Sequence, residues 1–309
     1  MSCASTNGSQ LRVFDLYGGQ EDLNRADGWL PAGIGFTDDD RLYQWQQNGG
    51  PLWAIDKQTG VRLDPLINQN AGGSCQGRDF LFLPNGTTLV GCGSSGTVKQ
   101  FDSDTGAYLG NFANCDVCRG LCLDRDGFVL SSSQTSIQRW NADTGQLEGI
   151  VVAPGTGGLE DAYDIVLDNN GDILVSDVTT GRILRFDAET GTHLNDATEF
   201  AMTGARGMAT WRDSDLFVSA WHGPLGGGVY RFDLESGEFK DFYQASAAMF
   251  VAITDCRIDY DCDERATFFD ISGMLLLYQA QAEWADFNED GSWNFFDIAA
   301  FLDEYLLGC

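Results

Sequence analysis

The stretch RFDAETG, Arg185–Gly191, is a phrase that this chain repeats. It returns as FDSDTG (Phe101–Gly106), WNADTG (Trp140–Gly145) and FDLESG (Phe232–Gly237), with a weaker copy, IDKQTG, at Ile55–Gly60. Counted from Ile55 through Phe101, Trp140, Phe186 and Phe232, the spacings are 46, 39, 46 and 46 residues. A recurrence of this length, with apolar runs on both sides of a turn, marks a propeller or a similar array. Asp or Asn bonds its own backbone and Gly takes positive φ, so each copy reads as a tight turn between strands.

Working outward, each copy sits among four short strand-like runs, and the units span about 32–66, 79–112, 120–152, 164–197 and 207–242. The first two runs of a unit are joined by polar tips: Pro84–Asn85–Gly86, Arg125–Asp126–Gly127, Asn169–Asn170–Gly171 and Arg212–Asp213–Ser214. Asn-Gly and Asp-Gly are strong hairpin signals, and four strands per unit make one blade. Five whole blades are visible. Met249–Thr254 and Leu11–Leu16, near opposite ends of the propeller region, are placed to complete a sixth. The fold expected is an all-β propeller over 1–254, with six blades favoured and five the alternative, followed by a small α-helical module over 255–309.

The segment Tyr163–Gly191, YDIVLDNNGDILVSDVTTGRILRFDAETG, resembles the NHL, senescence-marker-protein-like and streptogramin-lyase-like propellers. The resemblance covers roughly residues 30–254. It implies the fold and little about activity, because such folds host unrelated functions.

The chain has 309 residues with 46 acidic and 18 basic side chains, a formal charge of −28. A field of that sign repels nucleic acid and anionic lipid and attracts divalent cations. No run approaches the roughly 18 apolar residues of a membrane span. Nine cysteines are many for a reducing cytosol, so the expected location is secreted or at the cell surface. Met1–Gln10 has no leader character, and export would mean that the sequence starts after a removed leader. The odd cysteine count leaves one thiol free or paired between molecules.

Beyond Asp255 the composition changes. Asp259–Asp270 (DYDCDERATFFD) and Asp286–Asp297 (DFNEDGSWNFFD) are offset by 27 residues and share Phe-Phe-Asp-Ile at 268–271 and 295–298. A twelve-residue Ca²⁺ loop takes oxygens from positions 1, 3, 5, 7 (backbone), 9 and 12, with Gly at 6. The second loop supplies Asp286, Asn288, Asp290, the Ser292 carbonyl, Asn294 and Asp297, with Gly291 in place. The first supplies Asp259, Asp261, Asp263, the Arg265 carbonyl, Thr267 and Asp270, but Glu264 occupies the glycine position and weakens that site. Ca²⁺ is the cofactor expected.

Asp at position 12, two loops at short offset and a Gly-Cys ending (Gly308–Cys309) resemble dockerin modules. That resemblance implies docking onto a protein partner or a cell-surface anchor through the helix faces. Cys256 and Cys309 flank the module, and a disulfide between them would staple a domain too small for a generous core. Cys262, at loop position 4, is the expected unpaired thiol.

Further cysteines, Cys75, Cys92, Cys115, Cys118 and Cys122, fall in blades two and three. The first four lie in or beside loops of one propeller face and are read as loop-pinning disulfides, with zinc at the C-x-x-C as the alternative. Aligning blades by their hairpin tips puts Arg78, Arg119, Tyr163 and Arg206 at equivalent positions, where each innermost strand begins. Converging on the axis, they would bind a carboxylate or sulfate of an anionic small molecule or glycan, since guanidinium forks match such groups. Otherwise each arginine pairs with a neighbouring acid such as Asp79, Glu160 or Asp161.

Catalytic signals are thin. His193 sits on an expected outer strand and His222 in Trp221–Pro224, near the mouth. His222 is the one weak catalytic candidate, by resemblance to streptogramin-lyase-like enzymes, where a His acts as base beside a metal-binding carboxylate. Trp211 and Trp221 suit rim packing or a sugar platform. The function expected is therefore non-catalytic: a propeller face that binds a ligand, carried on a calcium-dependent attachment module. The alternatives are a metal-dependent lyase or hydrolase at the channel mouth, which needs three carboxylates or His converging there, and a disulfide-linked, self-assembling structural protein.

Overall fold

In the computed structural model, six four-stranded sheets precede two helices. The structure describes residues 2–7, 10–14, 20–23, 31–37, 41–46, 49–56, 61–73, 75–93, 95–211, 214–245, 248–254, 258, 267–282, 285–287 and 291–305; for 2–31, 254, 303 and 304 it describes the backbone alone. The chain divides into a large unit (Ala4–Phe14 and Gln20–Ile253) and a small one (Met1–Cys3, Asp15–Gly19 and Thr254–Cys309).

Five sheets are antiparallel blades of consecutive strands, the five whole blades read from the sequence. Blade one holds Pro31–Phe36, Leu42–Gln46, Leu52–Ile55 and Arg62–Ile67. Blade two holds Asp79–Leu83, Thr87–Gly91, Thr97–Asp102 and Tyr108–Asn114. Blade three holds Cys118–Leu123, Val129–Ser133, Ser136–Trp140 and Leu147–Val152. Blade four holds Ala162–Leu167, Ile173–Asp177, Ile183–Phe186 and His193–Asp196. Blade five holds Met208–Trp211, Asp215–Gly223, Gly226–Asp233 and Phe239–Gln244. The remaining sheet joins Ala248–Thr254 to Ser2–Asn7, Gln10–Phe14 and Gln20–Leu23, in that order.

The repeated phrase has two jobs. In blade four, Asp187 Oδ1 accepts the Thr190 N–H and the Thr190 hydroxyl, both at 2.7 Å. Asp102, Asn141 and Asp233 do the same for Thr105, Thr144 and Ser236. The glycine that follows turns with positive φ, +65° at Gly191. A Cβ there would run into the Val151 carbonyl of the preceding blade's outer strand, and one at Gly106 into that of Leu66. The turn therefore closes its own blade and seats it on its neighbour, and only glycine fits both demands.

Apolar clusters fill the space between blades. Leu174 and Ile183 of blade four pack with Leu216, Tyr230 and Phe232 of blade five, and Phe200 stands edge-on to Tyr230 and Phe232. Each buried aromatic contributes on the order of 2–3 kcal/mol.

In the small unit, α1 (Phe268–Gln279) and α2 (Phe295–Tyr305) follow the acidic loops, as expected from the sequence. Thr267 caps α1: its hydroxyl accepts the Phe269 N–H at 3.2 Å while Asp270 Oδ2 accepts the Thr267 N–H at 2.6 Å, a reciprocal capping box. Asn294 and Asp297 repeat the arrangement at α2. Ile258, Met274, Ala285, Phe287 and Phe301 form this unit's buried cluster.

Candidate functional site

Where the first strands of neighbouring blades meet, the backbones come close. Gly33 N–H donates to the Arg78 carbonyl at 2.8 Å and Gly207 N–H to the Met249 carbonyl at 3.0 Å. A Cβ on Gly120 would lie 2.7 Å from the Asp164 Cα. Blades two and four carry aspartates on the same strands. Asp79 accepts the Phe80 N–H at 2.8 Å and, from the next blade, the Leu121 N–H at 2.9 Å. Asp164 accepts the Ile165 N–H at 2.9 Å and the Met208 N–H of blade five at 2.7 Å. Serines on the second strands complete the clip: Ser132 Oγ bonds Gly120 N–H and the Tyr163 carbonyl, and Ser176 Oγ bonds Asp164 N–H and the Arg206 carbonyl.

These clips fix the residues that precede them. Arg78, Arg119, Tyr163 and Arg206 line a single cavity of about 160 Å³, together with Asp161 and Val178. Arg119 bonds Asp161 at 2.6 Å and the Ala162 carbonyl at 3.2 Å, so one arginine meets the neighbouring acid. Neither Arg78 nor Arg206 reaches a carboxylate among the described residues. Asp79 faces backbone amides instead. The Arg206 guanidinium lies 4.9 Å from the Tyr163 ring centre and 4.1 Å from that of Trp221. Among the described residues, the Tyr163 hydroxyl and Arg206 Nε are buried without a hydrogen-bond partner. Burial lowers the Arg206 pKa from its ordinary value, against the opposing pull of the Tyr163 hydroxyl and with Arg78 and Arg119 adding to the effect. A desolvated cluster of guanidinium groups beside a buried hydroxyl presents donors of the kind that bind a carboxylate or sulfate.

The second strand of blade five runs farther than the sequence suggests, to Gly223, and carries Trp221 and His222 beyond the sheet's body. Trp221 is 38 % exposed and stacks on Arg206. His222 is exposed, and its N–H bonds the Thr203 carbonyl. The cavity's one acid, Asp161, is engaged by Arg119, and no group of three His, Cys, Asp or Glu able to hold a metal occurs among the described residues. His193 is half-buried, its ring edge-on to Phe186, while the rest of its strand is exposed.

The sequence reading offered Asp79 as a possible arginine partner but did not foresee aspartates that tie neighbouring blades through backbone amides. Burial raises the Asp79 pKa well above the ordinary carboxylate value, with Asp164 adding to the effect. Burial pushes Asp164 up to about 7, against the pull of its two amide donors. Burial and then the charges of Asp164 and Asp79 also raise the Cys122 thiol, so the three groups share one locality. The available signal was Asp at equivalent positions of blades two and four, directly after Arg78 and Tyr163.

Cys75 pairs with Cys92 and Cys115 with Cys118, so the C-x-x-C is internally joined. Cys122 is the free thiol among the described cysteines. Cys256, Cys262 and Cys309 lie outside the described residues, as do Asp259, Asp261, Asp263, Arg265, Asn288 and Asp290. Gly291 takes φ +77° and donates its N–H to Asp286 Oδ2 at 2.8 Å. Ser292, Asn294 and Asp297 follow with oxygen donors, the ligand type Ca²⁺ takes. Asp270 and Asp297, at position 12 of the two loops, are fully buried.

The comparisons with known proteins support the fold. No family model matches the chain, and no curated protein does. It is a β-propeller. A propeller in a crystal structure of a nidogen/laminin complex superposes with a TM-score of 0.68 at 11 % identity, covering 82 % of this chain and 99 % of that one. A protein of unknown function from Bacteroides caccae gives 0.61 at 15 % identity, covering 81 % and 98 %. No helix among the described residues is long and apolar enough to cross a membrane.

Proposed function

We propose that this protein is an exported binding protein whose propeller mouth holds an anionic group of its ligand, a carboxylate or sulfate on a small molecule or glycan. One observation carries the reading. In a chain of charge −28, three arginines and a buried tyrosine hydroxyl converge on one cavity, and two of the arginines meet no acid among the described residues. The disulfide between Cys75 and Cys92 fits an oxidising exterior. The propeller of similar fold in the nidogen/laminin complex belongs to a protein crystallised with a partner, which suits a binding role.

The C-terminal unit is the attachment device in this reading. Asp286, Asn288, Asp290, Ser292, Asn294 and Asp297 would hold one Ca²⁺, and Asp259 to Asp270 a weaker second. The ion supplies positive charge that lets the clustered carboxylates pack. Phe268, Phe269, Phe295 and Phe296 stand 69–72 % exposed at the starts of the two helices, suited to cover by a protein partner. The test of the mouth is calorimetric titration of the full chain with sulfate and with a small uronate. Saturable one-to-one binding that weakens about tenfold in Arg206→Ala supports the reading. Equal heats in wild type and variant contradict it.

A further inference from the structure

The second strand of blade five outruns its sheet and holds one aromatic side chain at the mouth. Past Ala220 its pairing shifts register and resumes at Gly223 with Gly226, while His222 forms a bridge to Thr203. Gly204, at φ +68°, packs against the side chain between them: a Cβ there would stand 3.2 Å from the Trp221 Cβ and 3.3 Å from its Cγ. The Arg206 guanidinium lies 4.1 Å from the Trp221 ring centre. The indole is thus held by a close backbone approach and by a cation. It nevertheless stays 38 % exposed, whereas Tyr230 and Phe232 on the adjoining strand are fully buried. It also takes no part in the apolar cluster between blades four and five. A fixed, half-open aromatic ring beside a cationic cavity suits a ligand ring better than the protein's own core.

The polar groups of the cavity define what kind of ring. Arg119 bonds Asp161 Oδ1, and no donor meets Asp161 Oδ2 among the described residues. An ionised carboxylate only accepts, so that oxygen asks for a hydroxyl or N–H of the ligand, while the guanidinium groups only donate and ask for an anion. The Tyr163 hydroxyl can do either. An aromatic acid would answer the arginines and Trp221 but leave Asp161 facing ring carbons. An isolated sulfate would answer the arginines alone. A sugar acid answers all of them, with a carboxylate, hydroxyls and an apolar C–H face on one ring. At about 160 Å³ the cavity is smaller than the roughly 300–1,000 Å³ pockets of drug-sized ligands, which limits the occupant to one small ring.

We propose that the mouth binds a single uronic-acid residue, its carboxylate on Arg78 and Arg206, a hydroxyl on Asp161 and its pyranose stacked on Trp221. The inference rests on the reading of the mouth as an anion site and adds the chemistry of the ring that carries the charge. Arg119 neutralises Asp161, so the acid can accept a hydroxyl without repelling the sugar's carboxylate, and the two remaining arginines are left for the anion.

The experiment is calorimetric titration of the full chain with sodium glucuronate, sodium benzoate and sodium sulfate. Glucuronate is expected to bind about tenfold more tightly than either of the others, the worth of one stacking contact. Trp221→Ala removes that advantage and leaves sulfate affinity within about threefold of wild type; Trp221→Leu serves if the alanine variant fails to fold. Trp221→Phe, which keeps a ring face, retains part of the advantage. Glucuronate no tighter than sulfate, or an advantage that survives loss of the ring, overturns the proposal while sparing the anion reading. Benzoate binding as tightly as glucuronate overturns the sugar assignment in the same way. No binding of any of the three anions removes the anion reading itself.

Discussion

The propeller and the C-terminal unit are stabilised on different terms. The propeller buries Tyr230, Phe186, Phe217 and Phe232 completely and adds blade-to-blade clips at every junction described above. The described part of the C-terminal unit buries five apolar side chains while leaving four phenylalanines in the open. Its sequence is also dense in carboxylates of like charge. One unit gets its order from apolar packing; the other, in our reading, leans on an ion and on a partner. Charge is arranged oppositely too, with acids concentrated in the loops and arginines concentrated at the mouth.

The sharpest way to break this contrast is chelation. Adding EDTA should abolish the helical signal of α1 and α2 and leave the β-sheet circular dichroism of the propeller intact, because binding energy is folding energy for such a unit. Two transitions that respond equally to EDTA, or not at all, would erase the distinction. A smaller effect is expected from Gly120→Ala, where the new methyl meets the Asp164 Cα and the Tyr163 carbonyl. Overpacking at this junction should cost about 2–3 kcal/mol in urea unfolding of the propeller, with no change in the calcium response. Next comes Arg206→Ala, which removes a charged donor from the mouth and should weaken sulfate binding about tenfold at unchanged melting temperature. Asp187→Ala should do least, a small drop in the propeller's melting temperature, since its carboxylate sits at an exposed turn.

Much of the propeller was legible because its turns are chemically obligatory. Asp187, Thr190 and Gly191 each have a stereochemical task, so the period could be read from those residues alone. The convergence of Arg78, Arg119, Tyr163 and Arg206 followed from the same register, since equivalent positions in a closed ring meet at the axis. What the register leaves open is side-chain pairing. That Arg119 takes Asp161 while Asp79 turns to the Leu121 amide depends on where each carboxylate can reach, which is three-dimensional information. The extension of blade five to Gly223 was hidden for a related reason. Trp221–His222–Gly223 carries turn-like residues, yet the strand continues because Gly226–Gly228 can pair with it. In the tail, the repeat offset of 27 marked both helix starts, with Thr267 and Asn294 as their caps.

The central claim is that the mouth of the propeller is an anion site, and its most direct measurement is anomalous diffraction from crystals grown with selenate, a sulfate isostere. The account predicts a selenium peak within hydrogen-bond reach of Arg78, Arg206 and the Tyr163 hydroxyl. A well-ordered mouth with no peak there, while selenate binds elsewhere on the chain, would contradict it.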